Sequence, residues 1–248
     1  WAVPSSVAVD SVAASAAEDS PAAVVVEAEA ELPEDGKMKS AADFFNADEK
    51  QQIERVVNTA ESRTSGEIVP MVVDESYDYP RAELIGGGIM ALACGLFVSW
   101  SFGQDSIWWF LPTFVIGYFV FSQLIRNLPD LKRRLVNPAE FDIEVREKAL
   151  VSFVEQGLHE TRDKTGILIL ISLFEHRVQV LADSGINAKV SEHTWEEIVE
   201  IITVGLKSND ACNAICKAIE RCGELLQEHF PVKVDDTDEL PNLIIEKK

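Results

Sequence analysis

Two long runs without charged residues stand in the middle of a chain whose flanking segments mix apolar and charged positions. Residues 84–103 and 106–125 each contain 20 uncharged residues, and only Gln104 and Asp105 separate them. A helix needs about 20 apolar residues to cross a bilayer, where the backbone must satisfy its own hydrogen bonds. Two buried helices of a soluble protein are the alternative, but such helices normally keep a polar face. The pattern therefore predicts a transmembrane helical hairpin over residues 84–126, called the apolar hairpin below.

The first predicted membrane helix is rich in small side chains, which allow helices to approach closely in a bilayer. We expect these residues to pack against a neighbouring helix and to dock the hairpin on a larger membrane complex. They are Gly86, Gly87, Gly88, Ala91 and Gly95.

Residues suited to the membrane surface flank the hairpin. Trp100, Trp108 and Trp109 cluster near the turn, where an aromatic belt would lie. Basic residues follow the second helix, so the positive-inside rule places the soluble part on the side of the cytosol, stroma or matrix. We expect one basic cluster to contact anionic lipid headgroups. It consists of Lys132, Arg133 and Arg134.

Before the hairpin, the periodic pattern predicts one helix and one strand. Asn46 and Glu49 form a capping-box pattern at the start of a helix that ends near Ser62. Residues 67–73 are rich in β-branched side chains and predict a strand, in which Pro70 favours an edge position.

After the hairpin, the pattern alternates between helical and strand-like periods. A helix is predicted from Pro138 to about Glu160, followed by a β-hairpin of residues 167–173 and 177–182 and by two amphipathic helices. The predicted fold class is α/β, with a small central β-sheet flanked by helices and interrupted by the apolar hairpin.

Acidic residues dominate the remainder of the chain. The 248 residues include 42 acidic and 22 basic side chains, for a net charge of −20, which argues against nucleic acid as a partner. Residues 1–43 are predicted to be a disordered leader, since the first 36 residues hold eight carboxylates and no Lys or Arg. We expect the folded domain to cover residues 44–83 and 127–230, and residues 231–248 to form an acidic tail.

Local motifs for catalysis are lacking, and no catalytic residue is predicted. Cys212, Cys216 and Cys222 fall on or beside the apolar stripe of the last helix, where cysteine acts as a small hydrophobe. The four histidines are dispersed, and neither a phosphate-binding loop nor a nucleophile elbow occurs.

Carboxylates at the ends of predicted strands are the remaining chemical candidates. Several of them could converge on one sheet edge and hold a hard divalent cation such as calcium or magnesium. The alternative is that each is a solvated strand end in an acidic protein. The four residues are Glu67, Asp74, Glu175 and Asp183.

Three segments resemble the TPM domain family. They are Thr64-Ser65-Gly66-Glu67-Ile68-Val69, the stretch from Gly157 to Ile169, and Ala182-Asp183-Ser184-Gly185-Ile186. The resemblance runs from about Phe44 to the acidic tail. The chain resembles in particular a bacterial branch, familiar from α-proteobacteria, in which two membrane helices interrupt the domain. It implies an α/β sandwich with a small central sheet.

The resemblance also implies service to membrane complexes. Plant and cyanobacterial relatives are thylakoid proteins tied to photosystem II repair, one is described as a calcium-binding acid phosphatase, and an animal relative is an auxiliary subunit of a receptor channel. Soluble members often carry an Asp-Asp-Arg-Lys turn, whereas Phe174-Glu175-His176-Arg177 stands here. One of the two turn carboxylates is thus replaced by Phe174.

Two hypotheses follow from these observations. The first is a membrane-anchored accessory or assembly subunit of a multi-subunit membrane complex. We expect this complex to be a photosystem in the thylakoid, with the soluble part of the chain in the stroma. The alternatives are a respiratory complex in the mitochondrial inner membrane and a location in a bacterial inner membrane. The second is a phosphatase that uses the four carboxylates to hold a divalent cation, which activates water.

Overall fold

A computed structural model of the protein describes residues 24–29, 40–101, 107–232 and 240–247. The expectations for the remainder of the leader, for the Gln104-Asp105 turn and for the carboxylates of the acidic tail between residues 233 and 239 lie outside the described residues. The chain divides into two compact units, Trp1–Ser76 with Glu144–Lys248 and Tyr77–Ile143.

The first unit, called the sheet unit below, is built on a sheet of five strands in the order β1-β4-β3-β2-β5. In the centre of the sheet, β2 pairs parallel with β3, and β3 pairs antiparallel with β4. The predicted strand and the predicted β-hairpin are therefore confirmed. The strands are β1 Val24–Glu29, β2 Glu67–Val73, β3 Gly166–Ser172, β4 Arg177–Ala182 and β5 Ile244–Glu246.

The two outer strands are absent from the sequence prediction. The sequence predicts a disordered leader, whereas β1 pairs antiparallel with β4 over six residues. Strand β5 pairs parallel with β2 through Met71–Val73 only. Both strands begin with β-branched residues, Val24–Val26 and Ile244–Ile245, and pair through the backbone with an edge of the central sheet.

The edge position predicted for Pro70 is wrong for the strand as a whole, because β2 lies between β3 and β5. Proline is tolerated because β5 begins its pairing one residue later, at Met71. The missing N–H of Pro70 therefore costs no hydrogen bond on that side.

Nine helices are described in the chain. The predicted capping box is confirmed, since the Asn46 side chain accepts from the Glu49 amide and the Glu49 side chain accepts from the Asn46 amide. The helices are α1 Ala41–Phe44, α2 Ala47–Glu61, α3 Pro80–Ser101, α4 Ile107–Asn127, α5 Pro129–Leu135, α6 Pro138–Glu155, α7 Ser184–Asn187, α8 Glu192–Lys207 and α9 Ala211–His229.

Helix α6 ends five residues before the predicted boundary at Glu160. Gly157 adopts a left-handed conformation with φ of 74°, which stops the helix, and a short 3-10 helix at Leu158–Glu160 follows.

Both faces of the sheet are covered by apolar contacts. Buried residues of α2, α8 and α9 form the larger core with one face, and it includes Trp195 and the three cysteines of α9. Val145, Ala149 and Phe153 of α6 form the smaller core with Leu168 and the other inward residues of the opposite face. The predicted α/β class and the packing role of Cys212, Cys216 and Cys222 are confirmed.

The second unit contains the apolar hairpin. Helices α3 and α4 contain 22 and 21 residues, and both are long and apolar enough to cross a membrane. Helix α3 begins four residues before the predicted start of the uncharged run, because Pro80 and Arg81 form its first turn. Helix α5 follows α4 after Leu128.

Candidate functional site

The small residues of α3 form the contact between the two helices of the hairpin. A Cβ atom added to Gly87 would lie 3.1 Å from the backbone nitrogen of Ser122, and one added to Gly117 would lie 3.6 Å from the Cβ atom of Ala91. Gly95 packs in the same way against the Phe110 ring. These contacts follow the small-residue spacing that allows close helix packing in membranes.

The predicted role of this face as a docking surface for a larger complex is therefore corrected. Gly87, Ala91 and Gly95 are covered by α4, and Gly86 is covered by the side chains of Ile125 and Leu135. Only Gly88 of the predicted set has open space around it. A partner inside the membrane would have to contact the outer surface of the hairpin.

That outer surface is apolar on both helices. Ile89 and Phe97 of α3 are each 63% exposed, and Phe119 of α4 is 68% exposed. A helix pair in a soluble core would bury such side chains, whereas a membrane pair turns them to lipid. Trp100, Trp108 and Trp109 are also exposed, as an aromatic belt near the turn requires.

A charged cluster closes the base of the hairpin, at the ends of α3 and α4 farthest from the turn. The Glu83 carboxylate accepts from the Arg126 guanidinium, with Oε2 3.0 Å from Nη2, and its Oε1 lies 3.5 Å from Lys132 Nζ. The Lys132 side chain is only 3% exposed. The prediction that Lys132 contacts lipid headgroups is therefore wrong, because its ammonium group is buried against Glu83.

Glu83 is a site residue that the sequence prediction missed. A signal was present, since Glu83 and Arg126 are equally far from the predicted Gln104-Asp105 turn. An antiparallel helix pair places such residues side by side. The last charge before the first run and the first charge after the second run are thus natural partners.

The four candidate metal carboxylates lie at opposite ends of the sheet. Glu67 is the first residue of β2 and Asp74 follows the last one, so the two are separated by roughly 23 Å at about 3.3 Å per residue. Glu175 lies in the turn before β4 and Asp183 follows that strand. The register pairs Val73 with Ser172, so Asp74 shares an end with Glu175. The four residues therefore cannot form one metal centre.

The Asp74 and Glu175 carboxylates act as hydrogen-bond acceptors for the backbone at their end of the sheet. Asp74 Oδ1 accepts from the Ala41 amide at 2.5 Å and from the Ser40 hydroxyl at 3.2 Å, and so caps α1. Glu175 is fully buried; its Oε1 accepts from the Ser76 amide at 2.9 Å and its Oε2 accepts from the Ser172 hydroxyl.

At the opposite end of the sheet, the segments that resemble the TPM family meet. Asp183 caps α7, since its Oδ1 accepts from the Ser184 amide at 2.6 Å. A Cβ atom on Gly185 would lie 2.5 Å from the Lys164 carbonyl oxygen, so this position requires glycine. The Thr165 hydroxyl donates to the Ser65 carbonyl at 2.9 Å. These motif residues join three chain segments by close contacts.

The described residues contain no group of three or more His, Cys, Asp or Glu side chains that could hold a metal ion. The cysteines of α9 are also poor ligands, because burial raises the pKa of Cys216 and that of Cys222 to about 12. A thiol with such a pKa is protonated at neutral pH, whereas a metal binds the thiolate.

Comparison with known proteins identifies one domain. The model of the TPM domain family matches residues 131–225. The NMR structure of BA42 protein from the psychrophilic bacterium Bizionia argentinensis is similar to the chain, with a TM-score of 0.49 and 21% sequence identity over 83% of this chain and 96% of that one. No curated protein matches the chain.

The matched segment begins within α5 and ends within α9. It does not include the apolar hairpin, so the assignment to a hairpin-bearing bacterial branch stays a prediction. Residues 131–225 are thus similar to a TPM domain.

Proposed function

We propose that the protein is a membrane-anchored accessory or assembly subunit of a multi-subunit membrane complex. The observation that carries the proposal is the apolar hairpin, whose two helices pack on each other through small residues and leave large apolar side chains exposed. Such a surface is stable in a bilayer or against other membrane helices. The sheet unit, in turn, offers no assembled catalytic constellation among its described residues.

The proposal names a photosystem of the thylakoid as the complex, with the sheet unit in the stroma. The TPM domain supports it through the resemblance to plant and cyanobacterial thylakoid proteins. A respiratory complex of the mitochondrial inner membrane is the second candidate.

A phosphatase with one divalent cation on four carboxylates is not favoured by the geometry. Asp74 and Glu175 are engaged by backbone amides and serines at one end of the sheet, and Glu67 and Asp183 lie at the other end. Water activation requires the ligands of one cation to meet at one point.

Native electrophoresis of the source membranes tests the proposal. The membranes are solubilised in a mild detergent, and every protein that migrates with this chain is identified by mass spectrometry. We expect the chain to migrate with the subunits of a photosystem or a respiratory complex. As a control, a sample treated with sodium dodecyl sulfate should release the chain from that band.

The outcome that contradicts the proposal is migration of the chain alone in the mild detergent, near its own mass of 27.5 kDa plus detergent. Complete release of the chain from membranes by alkaline carbonate would contradict the membrane anchor itself.

A further inference from the structure

The short helix α5 and the last turn of α4 form a basic segment at the base of the hairpin. Four cations and one carboxylate lie between Arg126 and Leu135, although the whole chain has a net charge of −20. The carboxylate, Asp130, lies in the first turn of α5, and the three consecutive cations lie in its last turn. The positive charge is therefore concentrated next to the membrane helices.

Helix α5 is fixed to the hairpin by two contacts. The Leu135 side chain packs on Gly86, where an added Cβ atom would lie 2.7 Å from Leu135 Cδ1. Lys132 Nζ lies 3.5 Å from the Glu83 carboxylate and is buried. These contacts hold α5 beside the ends of both membrane helices, at the level where lipid headgroups would be.

These contacts leave parts of α5 and of the residue before it open, where apolar and cationic side chains are exposed together. Leu128 and Leu135 are 44% and 45% exposed. Arg134 is exposed, and among the described residues it has no ion-pair partner. The Arg126 side chain is 62% exposed although it is paired with Glu83. A helix with this composition is suited to lie in the membrane interface.

We propose that α5 is an interfacial helix that binds anionic glycerophospholipids through Arg134 and Arg126, with Leu128 and Leu135 inserted among the acyl chains. The occupant follows from charge complementarity and from the adjoining membrane helices. A guanidinium can bind a phosphate by two parallel hydrogen bonds. Glu83 does not oppose this binding, because Lys132 and Arg126 both neutralise it. The inference rests on the proposed membrane anchor.

Lipid binding to the full chain tests this inference. The chain is purified in dodecyl maltoside, mixed with equal amounts of phosphatidylglycerol and phosphatidylcholine, and the ratio of bound lipids is measured by native mass spectrometry. We expect phosphatidylglycerol to be bound preferentially. Arg134→Gln should lower the preference about 5-fold, as expected for the loss of one arginine near an anionic surface.

Arg146→Gln is the matched control, since Arg146 is an exposed arginine of α6 outside the basic segment. It should leave the preference unchanged, and Arg134→Lys should retain a part of it. Equal binding of the two lipids by the unaltered chain, or an equal loss in Arg134→Gln and Arg146→Gln, would overturn the inference. A chain that alkaline carbonate fails to release from membranes but that shows no lipid preference would refute this inference and leave the membrane anchor standing.

Discussion

The packing of the apolar hairpin makes a sharp prediction at two adjacent glycines. Gly87 faces Ser122, whose backbone nitrogen would lie 3.1 Å from an added Cβ atom, whereas no atom lies within 4 Å of a Cβ atom added to Gly88. Leucine at position 87 must therefore push α3 and α4 apart. Overpacking of this kind costs about 1–3 kcal/mol. Leucine at position 88 should cost nothing in packing.

A disulfide between the two helices provides the assay. An added Cβ atom at Gly117 would lie 3.6 Å from the Cβ atom of Ala91, within the range that a disulfide requires. Ala91→Cys and Gly117→Cys are introduced together with Cys94→Ser, and the thiol–disulfide equilibrium is measured with glutathione by intact mass after alkylation.

We expect efficient formation of this disulfide in detergent. Gly87→Leu should lower its equilibrium constant about 5- to 150-fold, which corresponds to 1–3 kcal/mol, and Gly88→Leu should leave it unchanged. Equal effects of the two substitutions would refute the assigned packing, as would failure of the disulfide to form in the chain that retains both glycines.

Three further predictions concern the charged base, the thiols and the helix cap. Glu83→Gln should lower the free energy of unfolding by about 3 kcal/mol in detergent, because it removes the Glu83 charge from its ion pair with the buried Lys132. Adding Lys132→Met should restore most of the loss, and additive losses would contradict the ion pair. Burial raises the pKa of Cys216 and Cys222 to about 12 in the folded state, so their thiols should react with iodoacetamide at pH 8 only after unfolding. The stability that these two protonated thiols contribute should be full below pH 9 and should be lost as pH rises towards 12. Fast alkylation of the folded chain would argue against their burial. Asp74→Ala should lower the unfolding free energy of the sheet unit by about 1.5–3 kcal/mol through loss of the cap on α1. Calcium should have no effect on the melting temperature of the unaltered chain. A clear stabilisation by calcium would show that the carboxylates do bind a cation.

Elements with a strong local signal were predictable from the sequence. The uncharged runs define α3 and α4, and the β-branched segments define β2, β3 and β4. Strands β1 and β5 also begin with β-branched residues, at Val24–Val26 and Ile244–Ile245, but these runs are short, and their places in the sheet depend on pairing with distant strands. For β5 this pairing involves three residues only.

The four candidate metal carboxylates are too far apart to share one cation, and simple strand geometry could have revealed this from the sequence. Glu67 begins a single strand and Asp74 follows its end, so their separation of roughly 23 Å follows from the strand length alone. Glu175 and Asp183 flank β4 in the same way. The partners of the Asp74 carboxylate, Ser40 and Ala41, lie more than 30 residues away and required the structure.

At the base of the hairpin, one contact could be predicted from the sequence and another required the structure. The pairing of Glu83 with Arg126 follows from their equal distance from the turn, whereas burial of Lys132 depends on the way α5 folds against α3. Consecutive cations in a sequence therefore do not share one environment, since Arg134 is exposed and Lys132 is buried.

The central claim is that the apolar hairpin crosses a bilayer, and labelling of cysteines from the two sides of sealed membrane vesicles tests it most directly. Ser101→Cys, near the turn, and Asn137→Cys, beyond α5, are made separately in a chain with Cys94→Ser and treated with a membrane-impermeant maleimide. Both positions are exposed. We predict that one of them reacts in intact vesicles and the other only after permeabilisation. Reaction of both positions in intact vesicles would contradict the claim.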